Sequence, residues 1–169
     1  MEFSISPAKP GDTAALVTLL NTITEDLHRK DIQQWEYPWN PAVIAADIET
    51  HRVWLLRDGN KIVGSYSSKI QDSAPWLPES SQSAARFFYL YRIALRPELQ
   101  GQGIGKQLIV HAIEQANEAK LPIYLDCWAG NEPLKRFYHG NGFQYIGDFP
   151  EEDYQISVFH LPAPDFRFL

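Results

Sequence analysis

The chain has 169 residues, 44% hydrophobic and 21% charged, with a formal net charge of -6; that length fits one domain, 1–169, with a sizeable core. The acidic balance argues against general nucleic-acid binding, which rests on positive surface, and no apolar run approaches the ~20 residues that span a bilayer. One cysteine excludes an internal disulfide, and the N-terminus lacks a basic region ahead of an apolar core, so a cytoplasmic, reducing setting is expected.

Residues 2–6 read as a short strand ended by Pro7. Pro10-Gly11-Asp12 is a turn, and Asp12 is placed to N-cap a helix. Ala15, Leu16, Leu19, Leu20, Ile23 and Leu27 give that helix one buried face. Asp31 to Trp39 is polar and aromatic, broken by Pro38 and Pro41, and a second helix runs from about Pro41 to Thr50. Arg52 to Arg57 and Lys61 to Ile70 are strands joined by Asp58-Gly59-Asn60, a strong hairpin signal. Gln71 to Ala85 is rich in Ser and Pro without periodicity, as a functional or mobile loop would be.

Arg86 to Arg96 is the next strand, apolar enough for both faces to be covered. Ile104, Leu108, Ile109, Ala112, Ile113 and Ala116 then mark one face of a long helix that ends at Leu121-Pro122. Ile123 to Trp128 is another buried strand, and its place after a strand and a helix predicts that it runs parallel to the first. Asn131 is suited to cap a short helix with Pro133 in its first turn and Leu134, Phe137 and Tyr138 on one face. Phe143 to Gly147 and Tyr154 to Leu161 look like a closing antiparallel pair. The order is β, α, α, β, β, β, α, β, α, β, β, which predicts an α/β fold.

Between strand and helix lies Gln100-Gly101-Gln102-Gly103-Ile104-Gly105-Lys106. A helix N-terminus offers unpaired N–H groups and partial positive charge to a phosphate, and glycine removes the side chains that would keep it away. A Walker A loop needs a Gly where Gln100 stands and a Ser or Thr where Gln107 stands. A dinucleotide fingerprint needs another glycine spacing, near the first strand of its unit. Neither fits.

Gln100-x-x-Gly103-x-Gly105, preceded by Arg92-Ile93-Ala94-Leu95-Arg96-Pro97, resembles the acetyl-CoA loop of the GNAT acetyltransferase superfamily. Asn131-Glu132-Pro133-Leu134-Lys135-Arg136-Phe137-Tyr138, then Gly142-Phe143, is similar to that family's second block. The element order matches as well. The resemblance implies a single-domain GNAT-like fold: a central mixed, mostly antiparallel sheet, with a splayed parallel strand pair and flanking helices. It implies acetyl-CoA as co-substrate and a backbone cofactor site at Ile93, Ala94 and Leu95, where an N–H near Ile93 stabilises the tetrahedral intermediate. The loop Gln100, Gly101, Gln102, Gly103, Ile104, Gly105 and Lys106 would take the pyrophosphate. Lys106, Lys135 and Arg136 are candidates for the adenosine phosphate, or plain solvated cations. Asn131 would touch the cofactor arm as well as cap its helix.

Tyr138 would protonate the leaving thiolate, which a phenol can do at neutral pH; the alternative is a core aromatic. The general base is open. The strand Phe87 to Leu95 carries no carboxylate, and Asp126, inside an apolar strand, either acts on the substrate or forms a structural ion pair with Arg92. Cys127 has no histidine near it in sequence to activate it as a nucleophile, and no histidine pair suggests a metal. Trp35, Tyr37, Trp39, Trp76, Tyr89, Tyr91 and Arg92 are candidates for the acceptor pocket, with loop anchoring or strand packing as the alternative.

The resulting expectation is an N-acetyltransferase acting on a primary amine of a small molecule, monomeric or homodimeric, without nucleic acid or membrane partner. An acetyl-CoA-binding sensor without turnover, and acetylation of a peptide or macromolecule, are the competing readings. The C-terminal tail, from Pro162 to Leu169, could dock on the core or on a second subunit.

Overall fold

The structure is a computed structural model and describes residues 2–76 and 86–164. The later part of the Ser/Pro segment and the end of the C-terminal tail, whose docking was raised above, lie outside the described residues. The strands are β1 (Phe3–Pro7), β2 (Val53–Asp58), β3 (Lys61–Gln71), β4 (Phe87–Leu95), β5 (Ile123–Trp128), β6 (Gln144–Glu151) and β7 (Tyr154–Leu161). The helices are α1 (Thr13–Arg29), α2 (Pro41–Glu49), α3 (Ile104–Glu118) and α4 (Glu132–Gly140). This is the expected element order. The strands form a seven-stranded mixed sheet in the order β1-β2-β3-β4-β5-β7-β6. The expected parallel pair is β4 with β5, and its ladder is short: Phe88 opposite Ile123 and Tyr89 opposite Tyr124. Among the described residues no helix is long and apolar enough to cross a membrane.

The chain divides into two compact units, each built from separate stretches: Met1–Ser67 with Arg92–His111, and Ser68–Tyr91 with Ala112–Leu169. In the first, Leu16, Leu19, Leu20 and Ile23 of α1 pack with Ile44 and Ile48 of α2, Val53 and Leu55 of β2, Ile62 of β3 and Ala94 of β4. These positions recur at helical and strand spacing, so one apolar face per element closes the core. Asp12 stands at the N-cap position of α1 but does not cap it. Its carboxylate accepts from the Lys9 N–H at 2.8 Å and from Arg57 at 2.9 Å. Asn40 does cap α2, accepting from the Ala42 N–H at 2.9 Å. The β2–β3 hairpin closes on Gly59 and Asn60, with Asp58 opposite Lys61 and Gly59 at a φ of +60°, as its turn chemistry requires.

In the second unit the aromatic content is structural in part. Phe87 and Ala74 are buried with Trp76, Tyr89 and Tyr124 against them. Tyr138 of α4 lies against Phe143 and Phe159 at 6.1 and 5.6 Å between ring centres. Register places β5 and β6 on either side of β7, with Asp126 opposite Val158 and Glu151 opposite Tyr154. Opposed residues share a face of a sheet.

Gly64 of β3 lies close to the backbone of β4. A Cβ there would lie 2.9 Å from the Ala94 carbonyl oxygen and 3.3 Å from Leu95 Cδ1. Gly64→Ala is therefore expected to destabilise the protein by about 1–3 kcal/mol through overpacking. An unchanged urea midpoint would show that β4 yields freely at this point.

Candidate active site

In the first unit, β4 runs into a 3-10 turn, Pro97–Leu99, and then into the glycine loop. Both glutamines of the motif serve the loop's own backbone. Gln100 Nε2 donates to the Leu95 carbonyl at 3.0 Å, and Gln102 Nε2 donates to the Glu98 carbonyl at 2.9 Å. Gly101 and Gly103 both stand at a φ of +79°, a region open mainly to glycine, and nothing lies within 4 Å of where their Cβ atoms would be. A side chain there would stand in the open space before the loop. α3 starts at Ile104, whose side chain is buried at 5% exposure, so only its backbone faces the loop's chemistry. Lys106, in the first turn, is exposed. Unpaired N–H groups at the helix start, glycines with no side chain before them and an adjacent lysine fit a pyrophosphate.

Arg92 interrupts β4 with a φ of +52°, unusual for a residue with a side chain. Such a break in a strand's alternation re-aims the side chain. The guanidinium pairs with Asp47 of α2 and lies over Trp39, 5.4 Å from its ring centre. Asp47 also faces Arg52 at 3.8 Å. Trp39 is held by its own polar groups: its N–H donates to Asn21 Oδ1 and its indole N–H to Thr24 Oγ1, both at 2.8 Å. Trp35 meets Trp39 edge-on at 5.4 Å. The structure thus gathers Trp35, Trp39 and Arg92, while Tyr37 is 49% exposed. Within the first unit Arg92 turns to Asp47, and within the second Asp126 has a partner of its own. Asp47 was missed by sequence reasoning, although a signal existed: it shares the buried face of α2 with Ile44 and Ile48, and an acid on an apolar face needs a partner.

In the second unit Asp126 accepts a hydrogen bond from the Tyr89 hydroxyl at 2.7 Å. Tyr89 opposes Tyr124, two residues before Asp126, so the short parallel ladder puts the phenol diagonally beside the carboxylate. Burial raises the Asp126 pKa to about 6; the Tyr89 bond works against that shift, and the charge of Glu151 adds to it. Burial, together with the Asp126 charge, pushes the Tyr89 phenol well above its ordinary value. Tyr89 stacks on Tyr91 at 5.5 Å with planes 13° apart. Lys69 Nζ lies over both rings, at 5.8 and 5.3 Å, a neighbour the sequence did not reveal. Glu151, also missed, accepts from the Tyr154 hydroxyl at 3.0 Å. Trp76 instead packs on Tyr124 and Phe87 at 5.2 and 5.9 Å, as a loop anchor would.

Asn131 is buried at 3% exposure and caps α4, accepting from the Leu134 N–H at 3.2 Å. Lys135 Nζ donates to the Ala129 carbonyl and to Glu132, both at 3.2 Å, while Arg136 is exposed. Tyr138 is 3% exposed. Its pKa lies well above the ordinary phenol value, first through burial and then through Cys127 and Asp126. Cys127 is 1% exposed, and burial pushes its thiol up to about 12. A thiol so protonated is a poor nucleophile.

The sequence pattern of the acetyltransferase (GNAT) family matches residues 20–143. The chain is 24% identical over 151 residues to an S-alkylcysteine N-acetyltransferase of Bacillus subtilis (strain 168), covering 87% of this chain and 81% of that protein. In fold it is similar to a GNAT acetyltransferase of Streptococcus agalactiae 2603, with a TM-score of 0.79, 18% identity and 95% of each chain covered. It is likewise similar to a Salmonella typhimurium protein solved with its cofactor acetyl-CoA, with a TM-score of 0.72, 17% identity, and 96% of this chain and 94% of that one covered. The family's sequence pattern spans the glycine loop, Asp126 and Tyr138, and with it the chain belongs to the GNAT family of acetyltransferases.

Proposed function

We propose that this enzyme moves acetyl from acetyl-CoA to a primary amine of a small molecule by direct attack through a tetrahedral intermediate. One observation carries the reading above the others. The second unit holds a carboxylate whose pKa is about 6 and a buried phenol that keeps its proton at neutral pH. Amide formation needs both. The amine arrives as an ammonium, and Asp126, through water, takes its proton. The freed nitrogen lone pair forms the C–N bond, the C–S bond breaks, and Tyr138 gives its proton to the departing thiolate. The proton lost by the amine returns to the phenolate through solvent. General bases work best near the operating pH, and Asp126 meets that condition. Burial keeps the Tyr138 phenol protonated, so its proton is available when the thiolate departs.

On this reading Ile93, Ala94 and Leu95 meet the cofactor arm through their backbones, an N–H near Ile93 faces the developing oxyanion, and the glycine loop takes the pyrophosphate. Lys106 and Arg136 are exposed and free to reach a phosphate, whereas Lys135 must leave its local partners to do so. The raised Cys127 thiol speaks against an acyl-cysteine route. The Bacillus relative, named for acetylating an S-alkylcysteine, supports a small-molecule acceptor, and the net charge of -6 suits a cation. The proposed enzyme is one catalytic domain, monomeric or homodimeric, working in the cytoplasm without nucleic acid or membrane.

Tyr138→Phe is expected to lower kcat by about 10²-fold, the range for a general acid, with little change in the KM for acetyl-CoA; thiol release measured against acetyl-CoA concentration tests this, and an undiminished kcat removes Tyr138 from the chemistry.

Asp126 gives two linked expectations. As a base it must be ionised, so kcat/KM for the amine should rise with pH through about 6, and Asp126→Asn should lose both that limb and most of the activity. Its folded pKa is raised above its unfolded one, so its contribution to stability is full below the unfolded value near 3.8 and is lost as pH rises through about 6. Asp126→Asn should therefore gain stability relative to the parent at pH 8 but not at pH 4. Chemical denaturation at the two pH values would refute this if the difference between the proteins did not change.

A further inference from the structure

Lys69 stands near the end of β3, half-buried, and takes part in no ion pair among the described residues. A lysine of this exposure usually carries its ammonium out to water. Here Nζ lies over two stacked tyrosine rings, 5.3 Å from Tyr91 and 5.8 Å from Tyr89, within the range of cation–π attraction. The Tyr89 hydroxyl is bound to Asp126 at 2.7 Å.

Register carries this surface further. Tyr89 opposes Tyr124, Asp126 opposes Val158, Ile156 opposes both Trp128 and Phe149, and Tyr154 opposes Glu151. Opposed residues project to the same side, and every second residue of a strand does so too. Tyr89, Tyr91, Asp126, Glu151 and Tyr154 therefore share one face. Tyr154 steadies Glu151 through a 3.0 Å hydrogen bond, and the Glu151 charge is felt at both Asp126 and Tyr89. All of these residues belong to the second unit. The tyrosine platform has over its rings a cation without an ion pair among the described residues, and Asp126 at the Tyr89 hydroxyl, with Glu151 on the same face.

We propose that this platform is the acceptor subsite and that the acceptor is an amino acid: its ammonium is received at the Asp126–Glu151 end, its carboxylate pairs with Lys69, and its side chain lies on the Tyr89–Tyr91 stack. The proposal rests on the acetyltransferase reading above. A simple alkylamine satisfies the carboxylates and leaves Lys69 without a counter-ion. An amino acid whose carboxylate is esterified or joined in a peptide bond does the same. A free amino acid satisfies both ends.

The test compares S-methylcysteine with its methyl ester as acceptors in the full-length enzyme, following thiol release from acetyl-CoA. The free acid should be preferred in kcat/KM by roughly 10- to 100-fold, as expected for a charge-assisted contact. Lys69→Met should bring the acid-to-ester ratio close to unity, and Lys69→Arg should keep most of the preference. Equal use of acid and ester by the parent enzyme, or a ratio untouched by Lys69→Met, overturns the assignment. Silence of the parent enzyme with every amine overturns the acetyltransferase reading instead. Calorimetric titration of S-methylcysteine and its ester into the parent and Lys69→Met proteins still decides the anchor, because tighter binding of the acid that disappears in the variant upholds it and equal binding refutes it.

Discussion

Asp126 stands on β5 between Leu125 and Cys127, at 0% and 1% exposure, and a carboxylate in such a strand is costly to ionise without a partner. The partner is Tyr89, and it reaches Asp126 because two residue pairs of parallel ladder set β4 against β5 at that level. The contact has consequences on both sides. It turns the edge of the Tyr89 ring toward β5 and leaves the ring face to stack on Tyr91 under Lys69. It also supplies only one hydrogen bond to a group that burial disfavours as an ion, so the carboxylate stays near its titration point. A second donor would hold it firmly ionised, and a fully apolar surround would keep it neutral. The proposed base is a product of that partial satisfaction.

The first unit answers a similar problem differently. Asp47 lies on the apolar face of α2, and Arg92 reaches it from a left-handed position in β4. Backbone strain of this kind persists only where the surroundings over-determine it. Here the guanidinium is held twice, by the Asp47 carboxylate and by the face of Trp39, whose polar atoms are fixed to α1. Arg92 and Asp126 thus each have a partner within their own unit.

The glycine loop follows a simpler rule. Its glutamines bind carbonyls at most five residues away, and its glycines adopt their conformation without crowding. Nothing in it depends on distant parts of the chain except the burial of Ile104. That is why it reads clearly in the sequence. The acceptor subsite proposed above depends on residues far apart in sequence: Lys69, Tyr89, Asp126 and Glu151 lie on four different strands.

The sequence by itself determined what is local or periodic. Element order, the Gly59–Asn60 hairpin and the Asn131 cap all follow from side-chain spacing or from φ/ψ preferences within a few residues, and each is present as expected. Tertiary structure decided where charges go. Asp12 was legible as a helix cap by position, yet Arg57, 45 residues away, and the Lys9 N–H take its carboxylate instead. Arg92 and Asp126 were legible as charges in apolar strands needing partners, but not which partners, because strand register and one left-handed residue set that choice. Lys69 and Glu151 gave no signal at all, since an isolated charge in a strand reads as solvated until the ring beneath it or the carboxylate beside it is known. The physical reason is range: propensity and patterning act over a few residues, while the desolvation and pairing that tune a buried carboxylate act through space between strands that only folding brings together.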